Sequence, residues 1–108
     1  MTTKTQFTAD FLSALAHPTR LAIIESLRGG EKCVCKILPE LGLEQSNVSQ
    51  HLAKMRERRI LDFRKEGNSV YYRVRDKQVY EVLGIVKDIV VGEMEKTSAI
   101  ADAIKKEA

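Results

Sequence analysis

The sequence predicts a mainly α-helical chain with one small β-hairpin, and three observations carry that expectation. Gly42 interrupts an apolar helical pattern, and Gln45, Ser46 and Asn47 open a second one within a few residues, which reads as helix, tight turn, helix. In that second helix Val48, Leu52 and Met55 recur at i, i+4 and i+7, so one face is apolar and anchors to a core while the others stay polar or basic. Two short runs, Leu61–Lys65 and Val70–Val74, flank Gly67-Asn68, a strand–turn–strand signature. A helix-turn-helix followed by such a hairpin is a winged helix-turn-helix, a unit that docks its second helix in the DNA major groove.

Each element has its own justification. Phe7, Phe11, Leu12 and Leu15 lie at helical spacing and predict a first helix over about 5–16, with Thr8 and Asp10 near its start. His17-Pro18 breaks it. Pro18 suits the first position of a new helix, where its missing N–H costs nothing. Leu21, Ile24 and Leu27 form the stripe of that second helix, which Gly29-Gly30 ends. Cys33-Val34-Cys35 leads into Ile37, Leu38 and Leu41, a short third helix with Cys35 at or near its N-terminus and Pro39 in its first turns. The reading helix spans Leu43 to about Arg58. From Asp76 to about Lys105 the pattern is helical again through Val79, Val82, Leu83, Val86, Ile89, Val90, Ile100 and Ile104, with Gly84 and Gly92 as places to bend or split it.

A chain of 108 residues suits one small domain over 1–108 with a thin core, its reading unit at about 31–75 and its dimerisation helices at about 5–16 and 76–105. The last helix carries more apolar surface than its own domain can cover. Phe7, Phe11, Val82, Val86, Ile89 and Val90 therefore predict a symmetric homodimer packed through first and last helices. A monomer with a folded-back last helix is the alternative. Two reading helices about one helical turn of DNA apart would read a palindromic operator in double-stranded DNA. No apolar run reaches the ~18 residues that span a bilayer, so no membrane partner is expected. The start, Met1 to Gln6, lacks the apolar stretch of a secretion signal, which places the protein in the cytoplasm.

Charge agrees with a nucleic-acid partner. The formal net charge is +3, and residues 43–75 hold eight basic against four acidic side chains, whereas residues 76–108 hold five against seven. The positive excess thus sits on the reading unit. A merely solvated surface is the bland reading of scattered Lys and Arg. Gln45, Ser46, Asn47, Ser49 and Gln50 have the amide and hydroxyl groups that read base edges, and Ser46 and Ser49 equally suit phosphate. Lys54, Arg56, Arg58 and Arg59 suit phosphate or the general positive field, and some are simply solvated; in the wing, Arg64, Lys65, Asn68 and Ser69 suit phosphate or minor groove. Tyr71 and Tyr72 alternate along a strand, so one faces the core.

The chain resembles the ArsR/SmtB family of winged-helix repressors. The resemblance rests on Leu15-Ala16-His17-Pro18-Thr19-Arg20-Leu21, Cys33-Val34-Cys35, Leu41-Gly42-Leu43, Gln45 to Leu52, and the wing through Tyr71-Tyr72-Arg73-Val74. It covers roughly residues 11 to 76 and is most specific in the reading helix. It implies a homodimeric transcriptional repressor whose inducer weakens operator binding, with no obligatory cofactor. His51 is similar to the family's recurrent histidine, which suits DNA contact or an internal polar contact equally.

Cys33 and Cys35 are the chain's two cysteines. In a reducing cytoplasm a structural disulfide is not expected. A Cys-x-Cys pair at a helix start can offer two thiolates to As(III), Cd(II) or Zn(II) as inducer. It can also act as a redox switch, since a helix N-terminus lowers thiol pKa. Two inert apolar fillers are the bland alternative. The chain departs from the family's metal sensors: Lys36 and Leu38 stand where arsenic sensors of this type carry an acid and a third cysteine, no cysteine precedes Cys33, and no histidine follows His51. Lys36 favours thiolate and opposes a dication, which shifts weight toward redox or electrophile sensing. An enzyme is not expected, because no phosphate loop, paired-carboxylate motif or nucleophile elbow is present. A regulator without thiol sensing, or a winged helix that binds protein instead of DNA, are the remaining alternatives.

Overall fold

The computed structural model describes residues 2–107. The chain forms two compact units, one up to Asp76 and one from Lys77 onward. The first contains α1 (Thr3–Leu15), α2 (Pro18–Ser26), β1 (Lys32–Cys33), α3 (Val34–Leu41), α4 (Gln45–Glu57), β2 (Leu61–Glu66) and β3 (Ser69–Val74); the second is α5 (Gln78–Glu107).

Local chemistry sets the boundaries. α1 starts earlier than its apolar pattern suggests because Thr2 caps it, its hydroxyl accepting from the Thr5 N–H at 3.1 Å. Thr8 and Asp10 consequently lie inside the helix, where the Thr8 hydroxyl donates to the Lys4 carbonyl at 2.8 Å. His17 caps α2, its Nδ1 accepting from the Thr19 N–H at 3.0 Å, and Pro18 takes the first helical position. Cys33 caps α3, its sulfur accepting from the Cys35 N–H at 3.2 Å. Gly42 ends α3 in the left-handed region at φ 63° and ψ 33°. There the Leu43 N–H reaches back to the Leu38 carbonyl at 3.1 Å, the closure glycine permits without a Cβ penalty.

The core forms where these elements meet. Ile23, Ile24 and Leu27 from α2, Ile37 from α3, Val48, Leu52 and Met55 from α4, and Ile60 and Leu61 at the start of β2 are buried. The i, i+4, i+7 face of α4 is therefore its inward face. The antiparallel sheet has the order β1-β3-β2, and β2 meets β3 from Leu61↔Val74 to Glu66↔Ser69 around the Gly67-Asn68 turn. Gly67 sits at φ 61°, as a two-residue hairpin turn requires. Tyr72 is buried and Tyr71 half-buried, the alternation expected of a strand.

Two expectations need correction. The sheet has a third strand, β1, whose two residues pair Lys32 with Tyr72 and Cys33 with Tyr71. So short a strand has no periodicity of its own; only pairing creates it. α5 is one continuous helix of 30 residues, so Gly84 and Gly92 neither split nor end it. Each glycine costs about 1 kcal/mol relative to alanine in a helix interior, too little to break a helix whose neighbouring turns propagate through it. No helix among the described residues is long and apolar enough to cross a membrane.

Candidate nucleic-acid interface

α4 presents its polar residues outward. Gln45, Ser46, Asn47, Ser49, Gln50 and Lys54 are exposed, while Val48, Leu52 and Met55 on the opposite side are buried. Among the described residues the side chains of those six make no hydrogen bond or ion pair within the chain, which leaves their donors and acceptors available. The N-cap residue Glu44 makes no side-chain capping bond, so no side chain occupies the first-turn N–H groups, the groups that hold anions at helix starts. Lys65 and Asn68 are exposed and Ser69 half-buried at the tip of the hairpin.

His51 and Arg64, expected at the same surface, also carry internal bonds. The Arg20 Nε–H of α2 donates to His51 Nδ1 at 3.0 Å, and an Arg20 terminal N–H donates to the Ala14 carbonyl at 3.2 Å. The His51 ring also lies against His17, with centroids 4.3 Å apart. Burial, then the nearby charges of His17 and Arg20, hold the His51 pKa below its ordinary 6.5. Both effects favour neutral His51, whose Nδ1 accepts from Arg20 and ties α4 to α2. Arg64 donates to both Glu31 carboxylate oxygens at 2.7 and 2.8 Å and to Glu66 at 2.8 Å, and its guanidinium lies 4.4 Å from the Tyr71 ring centroid. Glu31 is pulled below the usual carboxylate range by the Arg64 hydrogen bond, and Arg64 is raised by Glu31 and Glu66.

Several side-chain partnerships around this surface were not legible in the sequence. Arg20 and Glu31 act across 31 and 33 positions, a separation that leaves no local signal. Arg56 lies 4.5 Å from the centroid of the Phe63 ring, and Arg73 and Arg75 pair with Asp62 at 3.1 and 3.5 Å. The clustering of arginine in residues 43–75 hinted at this basic face of the hairpin but not at its pairing.

The two cysteines lie beside the outward face of α4. Cys33 and Cys35 are joined as a disulfide, with Cα atoms 5.1 Å apart. Cys33 is buried and Cys35 exposed. Both line an open cleft of about 390 Å³ whose other walls include Gln45 and Ser49 of α4 and Asn68 and Ser69 of the wing turn. A soft-metal site needs more than this pair. Among the described residues no group of three or more His, Cys, Asp or Glu side chains is placed to hold a metal ion. His17 is committed to capping α2, so the pair does not by itself fit As(III), Cd(II) or Zn(II).

Of the expected dimer residues, Phe7, Val82, Val86, Ile89 and Val90 are exposed and Phe11 is half-buried. Along α5, Ile85, Met94, Ile100 and Ile104 are exposed as well.

Residues 17–62 match the family described as "Bacterial regulatory protein, arsR family". The nodulation protein NolR of Rhizobium meliloti is 38% identical over 84 residues, covering 78% of this chain and 69% of that protein. The transcriptional repressor SmtB homolog of Synechocystis is 36% identical over 80 residues, covering 74% of this chain and 61% of that protein. The homodimeric winged helix-turn-helix DNA-binding domain Mb0332 from Mycobacterium bovis is 26% identical, with a TM-score of 0.74 over 85% of each chain.

Proposed function

The chain belongs to the arsR family of bacterial regulatory proteins, transcriptional repressors and not enzymes, and from that premise we propose that it leaves its operator in response to a thiol-directed signal at Cys33 and Cys35. As a homodimer, it would place two copies of α4 in successive major grooves of a palindromic site. Gln45, Ser46, Asn47, Ser49 and Gln50 read base edges or hold phosphate, and Lys54, Lys65, Asn68 and Ser69 hold phosphate. His51 fixes α4 against α2, and Arg64 fixes the wing against the segment before β1. The protein acts where the chromosome lies, in the cytoplasm.

The observation that carries the signal is positional. Cys33 caps α3, the helix that precedes α4 across the Gly42 turn, and the pair shares a cleft with Gln45 and Ser49. Oxidation or ligation there acts on the first turn of α3 and beside the reading residues at once. Oxidation needs no protein group beyond the two sulfurs, an external disulfide or peroxide taking the two electrons; a metal or metalloid inducer needs a further ligand from outside this pair. A coupling of about 1–3 kcal/mol, usual for regulatory linkage, changes affinity several-fold to about a hundredfold.

The test compares affinity for a duplex selected from a random library, using reduced protein, oxidised protein, and Cys33→Ser and Cys35→Ser variants. The reduced forms of all three bind, with a steep salt dependence from phosphate contacts, and only the wild type loses affinity under an oxidant that forms the Cys33–Cys35 bond without leaving an adduct. Equal affinity of the reduced and oxidised wild type would return both cysteines to a packing role.

A further inference from the structure

We propose that Cys35 is the entering thiol for low-molecular-mass disulfides, that Cys33 is the resolving thiol, and that an adduct on Cys35 and DNA exclude one another from one cleft. This rests on the reading of the pair as a thiol switch and assigns each sulfur its part.

The two cysteines are not equivalent. Cys35 is exposed at the second position of α3, followed by the exposed Lys36. Cys33 is only 5% exposed in the bonded pair, so Cys35 is the better placed of the two to meet a bulky disulfide. Cys33 lies close enough to Cys35 to attack an adduct there, with Cα atoms 5.1 Å apart and its sulfur accepting from the Cys35 N–H. In the first step the Cys35 thiolate attacks one sulfur of RS–SR, forming Cys35–S–SR and releasing RS⁻. In the second, the Cys33 thiolate attacks the Cys35 sulfur, forming the Cys33–Cys35 bond and releasing the second RS⁻. The dithiol loses two electrons, the small disulfide gains them, and the two cysteine protons end on the two released thiols.

The cleft supplies the regulation. Gln45 and Ser49 form part of the wall that Cys35 also lines, and Asn68 and Ser69 close the wing side. A group carried on Cys35 occupies the space between the reading helix and the wing. DNA seated on Gln45 and Ser49 covers the approach to Cys35. Exclusion of this kind is reciprocal in affinity: the larger the adduct, the weaker DNA binding becomes, and bound DNA disfavours the adduct; by covering the approach it also slows modification of Cys35.

The experiment uses full-length Cys33→Ser, in which a Cys35 adduct cannot resolve and serine still offers a capping oxygen to α3; Cys33→Ala repeats it without that cap. Each is treated with oxidised glutathione, with and without saturating selected duplex, and adducts are followed by mass spectrometry. One glutathione accumulates on Cys35, at least about tenfold more slowly on DNA-bound protein. Cys35→Ser gains no adduct on Cys33. A methylthio adduct on Cys35 weakens DNA binding less than a glutathionyl adduct. Equal modification rates free and bound, equal loss of affinity for both adducts, or ready adduct formation on Cys33 would each overturn the proposal. If oxidised wild type keeps full DNA affinity, the thiol switch itself fails. If it is released while DNA gives Cys35 no protection, only the shared cleft fails.

Discussion

His51 shows how a side chain on a reading helix serves the fold that presents it. Its Nδ1 accepts from Arg20 while its ring lies against His17, and protonation would set a second cation against the Arg20 guanidinium and remove the acceptor that Arg20 uses. The folded-state pKa lies below 6.5, so near and just below that pH the unfolded chain binds the proton more readily. Stability therefore falls as pH drops through that window and is intact above it. We predict that thermal midpoints fall between about pH 7.5 and about pH 5.5, and that His51→Gln, which keeps an acceptor but cannot titrate, flattens this dependence. Parallel curves for the two proteins would show that His51 does not report pH. Gly42 makes a second residue-scale case. A Cβ there meets nothing within 4 Å, so the cost of Gly42→Ala is that of the left-handed backbone alone, about 1–2 kcal/mol in chemical denaturation. Gly42→Asn costs less, because asparagine tolerates that conformation.

At the scale of elements, α4 divides its labour between two faces. Val48, Leu52 and Met55 fix the helix to the core, while the outward residues stay uncommitted. Among the outward residues the proposed DNA contacts are of two kinds. Gln50→Ala is expected to relax sequence preference at one base pair, at a cost of about 1–3 kcal/mol, with the salt dependence unchanged. Lys54→Ala is expected to weaken binding to all sequences alike and to reduce the salt slope by about 1. Binding measured over a salt series on matched and mismatched duplexes distinguishes them; a base-specific effect of Lys54→Ala would reassign that residue. The reading helix was legible because its apolar and polar residues alternate with the helical period. The restraint on Arg64 was not, because Glu31 lies in a separate segment and only the sheet brings the two together.

At the scale of the molecule, α5 carries an exposed apolar series from Val82 to Ile104. A 30-residue helix is about 45 Å long at 1.5 Å per residue, ample for a partner helix. Ile89, 61% exposed, tests the dimer: Ile89→Glu introduces charge into an apolar interface and is expected to yield monomer in sedimentation, with weakened operator binding because two half-sites are no longer engaged together. A dimer that survives this change would place the interface elsewhere.

By itself the sequence determined the helix order, the Gly42 turn, the hairpin, the inward face of α4 and the class of partner. These follow from local rules: apolar period, capping residues, turn chemistry and the placement of charge. Tertiary structure alone decided that Lys32 and Cys33 form a strand, that Arg20 holds His51, that Glu31 holds Arg64, and that the cysteines share a cleft with Gln45 and Ser49. Each of these joins groups separated along the chain, and a contact between distant segments exists only once packing has closed the loop between them.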